Sequence, residues 1–401
     1  MINPYKIRAQ KKALDLARSF NNLLLKWATG VGKTKATIDI INRFKTKKKV
    51  LLVIAEILHE DNWKDEFKKW NLKPNIDITF TTYASLHKYK GNSYDYLILD
   101  EAHHSGSDLK QHILDNIKAK NVVALSATMP QEILSGLVDI FGSFRIYEIT
   151  LQEAIDAGIL PEPRIFLVKK KLNNTIRSEI ITIKRGDPKK AKTILVDYPD
   201  RWKYLNNRSL PNLNLSIICT EQEKYYHIND NFEYWKNRYL RHKTIKNRTI
   251  FYSRGNLRKR YLGSIKTNTA RKIINRLKNK RFICFCSDIE QAEELNYKNA
   301  IHSKKKDSAL IVKNFNEGKI DSLFAVGKLQ EGQNLKNIEA GIIVQLDGVE
   351  RGFVQKFGRS LRAEYPEQYI IYIEDTKDED YVQNLNNLDP EYIKVIREED
   401  L

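Results

Sequence analysis

Residues 1–150 carry short apolar runs of four to eight residues, separated by segments whose hydrophobic positions recur every three or four. NLLLKWA (22–28), VLLVIAE (50–56), DITFTTY (77–83), YLILD (96–100) and VVALSAT (122–128) read as buried strands. Residues 8–20, TKATIDIINRF (34–44) and HEDNWKDEFKKW (59–70) have the helical period. Near-continuous apolar strands alternating with helices predict a parallel sheet covered on both faces. Such sheets bind ligands at the carboxyl ends of their strands. The polar residues Tyr83, Asp100 and Thr128 close three of these runs.

TLQEAIDAGILPEPR (150–164) predicts a helix closed by Gly158 and followed by two prolines, the mark of a boundary. Beyond it RIFLVKK, SEIITIK and KTILVDY read as strands, the last two joined by a turn at RGDPKKAK (185–192). An aromatic helix follows at 225–242. From about Thr267 the α/β alternation resumes: helix ARKIINRLKNK, strand RFICFCS, helix DIEQAEEL, then strands SLFAVG, AGIIVQL and YIIYIED. The expected organisation is a first lobe at 1–150, a linker and basic insertion at 151–263, a second lobe at 264–376 and an acidic helical tail at 377–401.

Charge changes the picture most in the middle. The chain of 401 residues has a net charge of +19. Residues 164–281 hold 31 Lys and Arg against 8 Asp and Glu, so the positive excess lies wholly in that block. A basic block suits a polyanion. The three cysteines, Cys219, Cys284 and Cys286, do not have the spacing of a zinc site and read as reduced core thiols. With no apolar leader and no long apolar run, a cytoplasmic protein is expected.

Four strings carry the chemistry: ATGVGKT (28–34), DEAHH (100–104), SAT (126–128) and QKFGRSLR (355–362). In the first, the backbone N–H groups of Thr29, Gly30, Val31 and Gly32 can face phosphate oxygens at a helix N-terminus. Lys33 would neutralise the β- and γ-phosphates and Thr34 would offer its hydroxyl to Mg²⁺. Asp100 would hold the metal, and Glu101 would orient and deprotonate the attacking water. Gln355, Arg359 and Arg362 would bring a polar group and two guanidiniums to the transferred phosphoryl.

The order and spacing of these strings resemble the superfamily 2 helicases and translocases, from about Gln10 to about Asp375. The resemblance implies two RecA-like parallel-sheet lobes of the P-loop NTPase type, with a basic α+β insertion between the first lobe and the second sheet. It implies ATP as substrate and Mg²⁺ as cofactor. It makes Gln10 the adenine-reading glutamine, though a surface helix accounts for that residue equally. His103 would link the triphosphate site to Ser126 and Thr128. Asn334 would contact the ribose, and Gly332, Glu56, Thr82, Tyr83, Ser287 and Ser303 would track a nucleic-acid strand. Lys189 and Lys190, at the tip of a basic hairpin, are the remaining nucleic-acid candidates.

WKDEFKKW (63–70), AIDAGILPEPR and QKFGRSLR resemble the branch acting on DNA, which includes phage recombination helicases and restriction-enzyme motors. The expectation is therefore a DNA helicase or translocase of phage type, a monomer. Its competitors are an RNA helicase, the motor subunit of a restriction or defence complex, and a binding module without turnover. On the aromatic helix, Phe232, Trp235 and Tyr239 share one face, more in keeping with core packing than with base stacking.

Overall fold

The computed structural model describes residues 3–401 apart from 107, 186, 188, 190, 208–211, 328–334, 336, 347–362, 364 and 386–387. Helix α1 (Pro4–Ser19) starts on Asn3, whose side chain accepts from the Tyr5 and Lys6 N–H groups, with proline at its first position. Strands β1 (Asn22–Trp27), β2 (Lys48–Ile54), β3 (Ile76–Thr82), β4 (Ser93–Leu99), β5 (Lys118–Ser126) and β6 (Arg145–Ile149) form one sheet in the order β3-β2-β4-β5-β1-β6. Every pairing in it is parallel. Helices α2 (Lys33–Asn42), α3 (Leu58–Lys69), α4 (Asp108–Leu114) and α5 (Gln131–Phe141) make the crossovers. The interior strands are apolar on both faces because helices cover both: Leu23, Leu24, Leu25, Leu51, Leu52 and Val53 are all within 1% of full burial.

Helix α6 (Leu151–Asp156) leads out of this lobe, opened by a capping box between Thr150 and Glu153. Its residues Ala154 and Ile155, with Leu160 beyond, pack in one buried cluster with Trp27 and Val31 of the first lobe and Ile165 and Leu167 of β7 (Arg164–Lys170).

Here the structure corrects the expected boundary. RIFLVKK was placed ahead of the second sheet, but β7 pairs in parallel with β15 (Glu367–Ile373) and β16 (Ile393–Arg397) inside that sheet. The full order is β12-β13-β11-β14-β15-β7-β16, all parallel, with β11 (Phe282–Phe285), β12 (Ala300–Ile301), β13 (Ser322–Ala325) and β14 (Ala340–Ile343). The basic segment is thus an excursion from within the second lobe, leaving after β7 and returning before β11. The expected helical tail is likewise only briefly α-helical: it runs through a short helix at Lys377–Val382 and then supplies β16, which completes the sheet edge beside β7.

The excursion has two parts. Strands β8 (Ser178–Arg185), β9 (Lys192–Asp197) and β10 (Leu213–Cys219) form a small sheet in the order β8-β10-β9, with the short helix α7 (Arg201–Leu205) between β9 and β10 in sequence. β8 is antiparallel and β9 parallel to β10. RGDPKKAK is therefore no hairpin tip, because the strands it joins lie on opposite sides of β10. Lys189 is exposed; Lys190 lies outside the described residues. Next come two long helices, α8 (Glu221–Arg241) and α9 (Ile245–Ile265). α8 matches the expected aromatic helix. Phe232 and Tyr239 pack on Phe251 of α9, with ring centroids 5.3 and 5.6 Å apart, as a core face should. Helices α10 (Thr267–Arg276), α11 (Ile289–Asn296), α12 (Ser308–Asn316) and α13 (Lys377–Val382) cover the second sheet. Among the described residues no helix is long and apolar enough to cross a membrane.

Candidate active site

The loop after β1 takes two left-handed steps, at Gly30 (φ 95°) and Gly32 (φ 106°), which side chains rarely adopt. Gly32 is also the N-cap of α2, and no side chain caps that end, so the first-turn N–H groups are left for a ligand. A Cβ on Gly32 would lie 2.8 Å from Gln10 Nε2, which places the α1 glutamine against the phosphate-type loop. Lys33 opens α2 and its Nζ donates to the Trp27 carbonyl at 2.8 Å. Val31 is buried, so only its backbone can serve. Thr29, Gly30, Gly32, Lys33 and Thr34 line a cavity of about 1220 Å³ together with Gln10, Asp100 and Glu101.

Lys6 adds a cation that the motifs did not reveal: its Nζ donates to the Gly30 carbonyl at 3.1 Å, and burial pushes its pKa down. The linker reaches the same loop, for Leu160 Cδ2 stands 2.9 Å from the position of a Cβ on Gly30.

Asp100 and Glu101 follow β4 at the same carboxyl edge. Burial, with the neighbouring Glu101 charge second, raises the Asp100 pKa; the Trp63 hydrogen bond, His59 and Lys33 oppose it. Trp63 Nε1 donates to Asp100 Oδ2 at 2.8 Å, and His59 Nδ1 stands 4.0 Å from the same oxygen. Neither residue was singled out from the sequence. Both lie on α3, where an amphipathic pattern reads as core, and nothing in that pattern says which indole reaches a strand 37 positions away. Glu101 is held at φ 46°, ψ 55°, a left-handed conformation that costs a non-glycine residue about 1 kcal/mol or more. Strain of this kind collects at working residues.

His103 is buried, with Nδ1 2.9 Å from Ser126 Oγ and 3.5 Å from Glu101 Oε2. Ser126 gives its one hydroxyl proton to the Thr128 carbonyl. His103 must then carry its proton on Nδ1 and donate to Ser126. A hydrogen-bonded chain therefore runs from His103 through Ser126 to Thr128 at the end of β5, and its histidine end stands 3.5 Å from Glu101 Oε2.

The edge residues are placed unevenly. Glu56 follows β2 and is exposed, and Thr82 ends β3 half-buried. Tyr83 corrects an expectation: its ring is buried and its hydroxyl donates to the Asp100 carbonyl at 2.9 Å, so its side chain braces the site from within instead of meeting a strand at the surface. In the second lobe Ser287, half-buried, follows β11, and exposed Ser303 follows β12, both at one sheet edge. Gln355, Arg359, Arg362, Gly332 and Asn334 lie outside the described residues.

The residues present fit a triphosphate with a divalent cation. An uncapped helix end and two left-handed glycines face a half-buried carboxylate across a cavity bordered by lysines.

Fold and site together define a tandem RecA-like α/β protein. Residues 1–131 match the model of the type III restriction enzyme res subunit, and residues 265–364 that of the helicase conserved C-terminal domain. The DNA 3'-5' translocase XPB2 of Sulfurisphaera tokodaii is 22% identical over 364 residues, covering 86% of this chain and 76% of the relative. Two solved structures share the fold. S. cerevisiae Dbp5 bound to RNA and ADP BeF3 has a TM-score of 0.58 at 11% identity, over 98% of this chain and 90% of that one. The ATP-dependent type ISP restriction-modification enzyme LlaBIII bound to DNA has a TM-score of 0.56 at 14% identity, over 99% of this chain and 31% of that one, so this chain spans about a third of it. The two helicase-type models in tandem, with the XPB2 relative, support a superfamily 2 helicase or translocase.

Proposed function

We propose that the chain is an ATP-driven motor that moves along or remodels DNA. The observation that carries the reading is the shared cavity: the loop after β1 and the Asp100–Glu101 edge open into it, and His103 ties that edge to Ser126 and Thr128. Lys33 and the N–H groups of residues 29–34 hold the β- and γ-phosphates, with Gln10 beside the base. Thr34 and Asp100 hold Mg²⁺, which when bound screens phosphate charge and polarises the γ-phosphoryl group. Glu101 orients the attacking water and takes its proton. Gln355, Arg359 and Arg362 add polar and cationic groups from the second lobe, and guanidiniums in that role are worth on the order of 10³–10⁵ in rate. Asn334 meets the ribose. Glu56, Thr82, Ser287, Ser303, Gly332, Lys189 and Lys190 face the strand through surface groups and backbone N–H.

DNA is favoured over RNA because the relative matched over most of both chains is a DNA translocase by name. The likeness to LlaBIII also supports a second reading, the motor part of a restriction or defence complex. ATP hydrolysis measured with single-stranded DNA, forked DNA and single-stranded RNA tests the proposal. DNA should stimulate most, and Glu101→Gln should abolish turnover while nucleotide still binds. Equal low rates on every nucleic acid would sink it.

A further inference from the structure

The helical hairpin of α8 and α9 is unexplained by nucleotide chemistry. No Asp or Glu occurs from Tyr234 to Ser287, a stretch carrying 17 Lys and Arg. At its base the hairpin is anchored to the second lobe: Tyr225 packs with Leu262 and Ile373, and its hydroxyl accepts from the Lys377 N–H at 2.9 Å. From Tyr225 to Arg241 the helix runs about 24 Å at 1.5 Å per residue. Phe232, Tyr239 and Phe251 zip the two helices together along the way, and Arg258 lies 3.8 Å over the Phe232 ring.

The tip is built, not frayed. Thr244 caps α9 by accepting from the Asn247 N–H at 3.2 Å, and buried Asn247 donates from Nδ2 to the His242 carbonyl at 2.8 Å. This ordered turn presents Leu240 (58% exposed) and Ile245 (77% exposed) to solvent. Around them Arg241, Lys243, Lys246 and Arg248 are all exposed, and none forms an ion pair with a carboxylate among the described residues. Exposed Tyr252 stands one to two turns further along α9.

Apolar side chains inside a cationic collar need a partner that offers negative charge outside and apolar faces within. A nucleic acid is favoured over an acidic protein surface because the relative matched over most of both chains is a DNA translocase by name. A nucleic acid whose stacking is interrupted supplies both at once: phosphates for the collar, and an unstacked base face for Leu240 and Ile245. We infer that this hairpin is a prong that engages the junction of a forked DNA, its tip lodging where the two strands part. The inference rests on the DNA-motor reading and adds to it the place and geometry of substrate contact.

The test uses the full chain and a forked DNA carrying 2-aminopurine at the junction, followed by anisotropy and by 2-aminopurine emission. One variant replaces the tip (Leu240→Ser with Ile245→Ser), the other the collar (Arg241, Lys243, Lys246 and Arg248, each →Gln). Every altered side chain is exposed, so both should melt as wild type does. The collar variant should bind the fork at least tenfold more weakly at moderate salt. Its log–log salt slope should be shallower by about three to four, near 0.9 for each lost phosphate contact. The tip variant should bind within about twofold of wild type yet lose most of the rise in 2-aminopurine emission. Wild-type behaviour of both variants on a fork that the wild type binds would overturn the prong alone. A wild type that binds no fork would overturn the prong and the motor reading together.

Discussion

Trp63 Nε1 donates to Asp100 Oδ2 at 2.8 Å and so ties helix α3 to the carboxylate at the end of β4. The indole has a single donor, so it fixes the carboxylate's rotation and leaves the other oxygen for the Glu101 N–H, which it accepts at 3.0 Å. Groups that orient a metal-binding carboxylate are commonly worth ten- to a hundredfold in metal affinity. Trp63→Phe keeps the packing on Phe67 and removes only that hydrogen bond. We expect it to raise the Mg²⁺ concentration for half-maximal ATP hydrolysis by about tenfold. An unchanged Mg²⁺ titration would reduce Trp63 to a packing residue.

Ser126 stands between the histidine beside Glu101 and the carbonyl of Thr128. If that path carries information from the phosphates to the strand edge, Ser126→Ala should separate two rates. Hydrolysis without DNA should change by less than about twofold. Stimulation by DNA should fall at least about fivefold, the lower end of ordinary coupling energies. Equal losses in both rates would mean that Ser126 merely supports Glu101.

A buried ion pair offers a test of the second lobe that is independent of function. Lys266 Nζ lies 2.6 Å from Asp378 Oδ2, and both side chains are wholly buried. Gln345 closes the set, accepting from Lys266 at 2.9 Å and donating to Asp378 at 3.0 Å, while the Ile373 N–H donates to Asp378 at 3.2 Å. Removing one charge strands the other in a dry site. Asp378→Asn should therefore destabilise the second lobe by about 3–5 kcal/mol, read as a lower urea midpoint for that lobe. The double change Lys266→Met with Asp378→Leu should recover most of the loss, since no charge is then left unpaired.

The loop after β1 and the Asp100–Glu101 edge were legible in the sequence because backbone chemistry dictates them. Only glycine tolerates the conformations of Gly30 and Gly32, and a carboxylate after a buried strand must have a partner. The limits were equally physical. β7 looked like part of the basic segment because its flanking lysines dominate composition, whereas its place is set by Ile165, Leu167 and Val168, buried between β15 and β16. β16 has only five residues, IKVIR, set in an acidic tail that hides them. α9 has no continuous apolar stripe to find, since α8 covers it along much of its length and only its base, around Leu262, packs on the second lobe. Tyr83 ended an apolar run as an edge residue would, yet a hydrogen bond to the Asp100 carbonyl turned it inward.

The C-terminal residues fasten the second sheet through Glu398. Lys170, on β7, donates to Glu398 Oε2 at 2.6 Å, and Thr269 of α10 donates to the other oxygen. Burial alone would raise this carboxyl's pKa, but the hydrogen bonds from Lys170 and Thr269 and the nearby lysine charges outweigh it and hold the pKa below the usual 4.5. A carboxyl whose pKa is lower folded than unfolded stabilises the fold fully above the unfolded value. That contribution drains away as pH falls through the folded one. Glu398→Gln should therefore cost about 1–2 kcal/mol at neutral pH, the worth of a charge-assisted hydrogen bond at a partly exposed site. Below about pH 4.5 the wild type should converge on the variant, because protonation removes the same charge. Parallel urea melts of the two proteins between pH 7 and pH 3 check this. A gap that stays constant across the range would show that the Glu398 side chain acts by packing, with its charge contributing nothing.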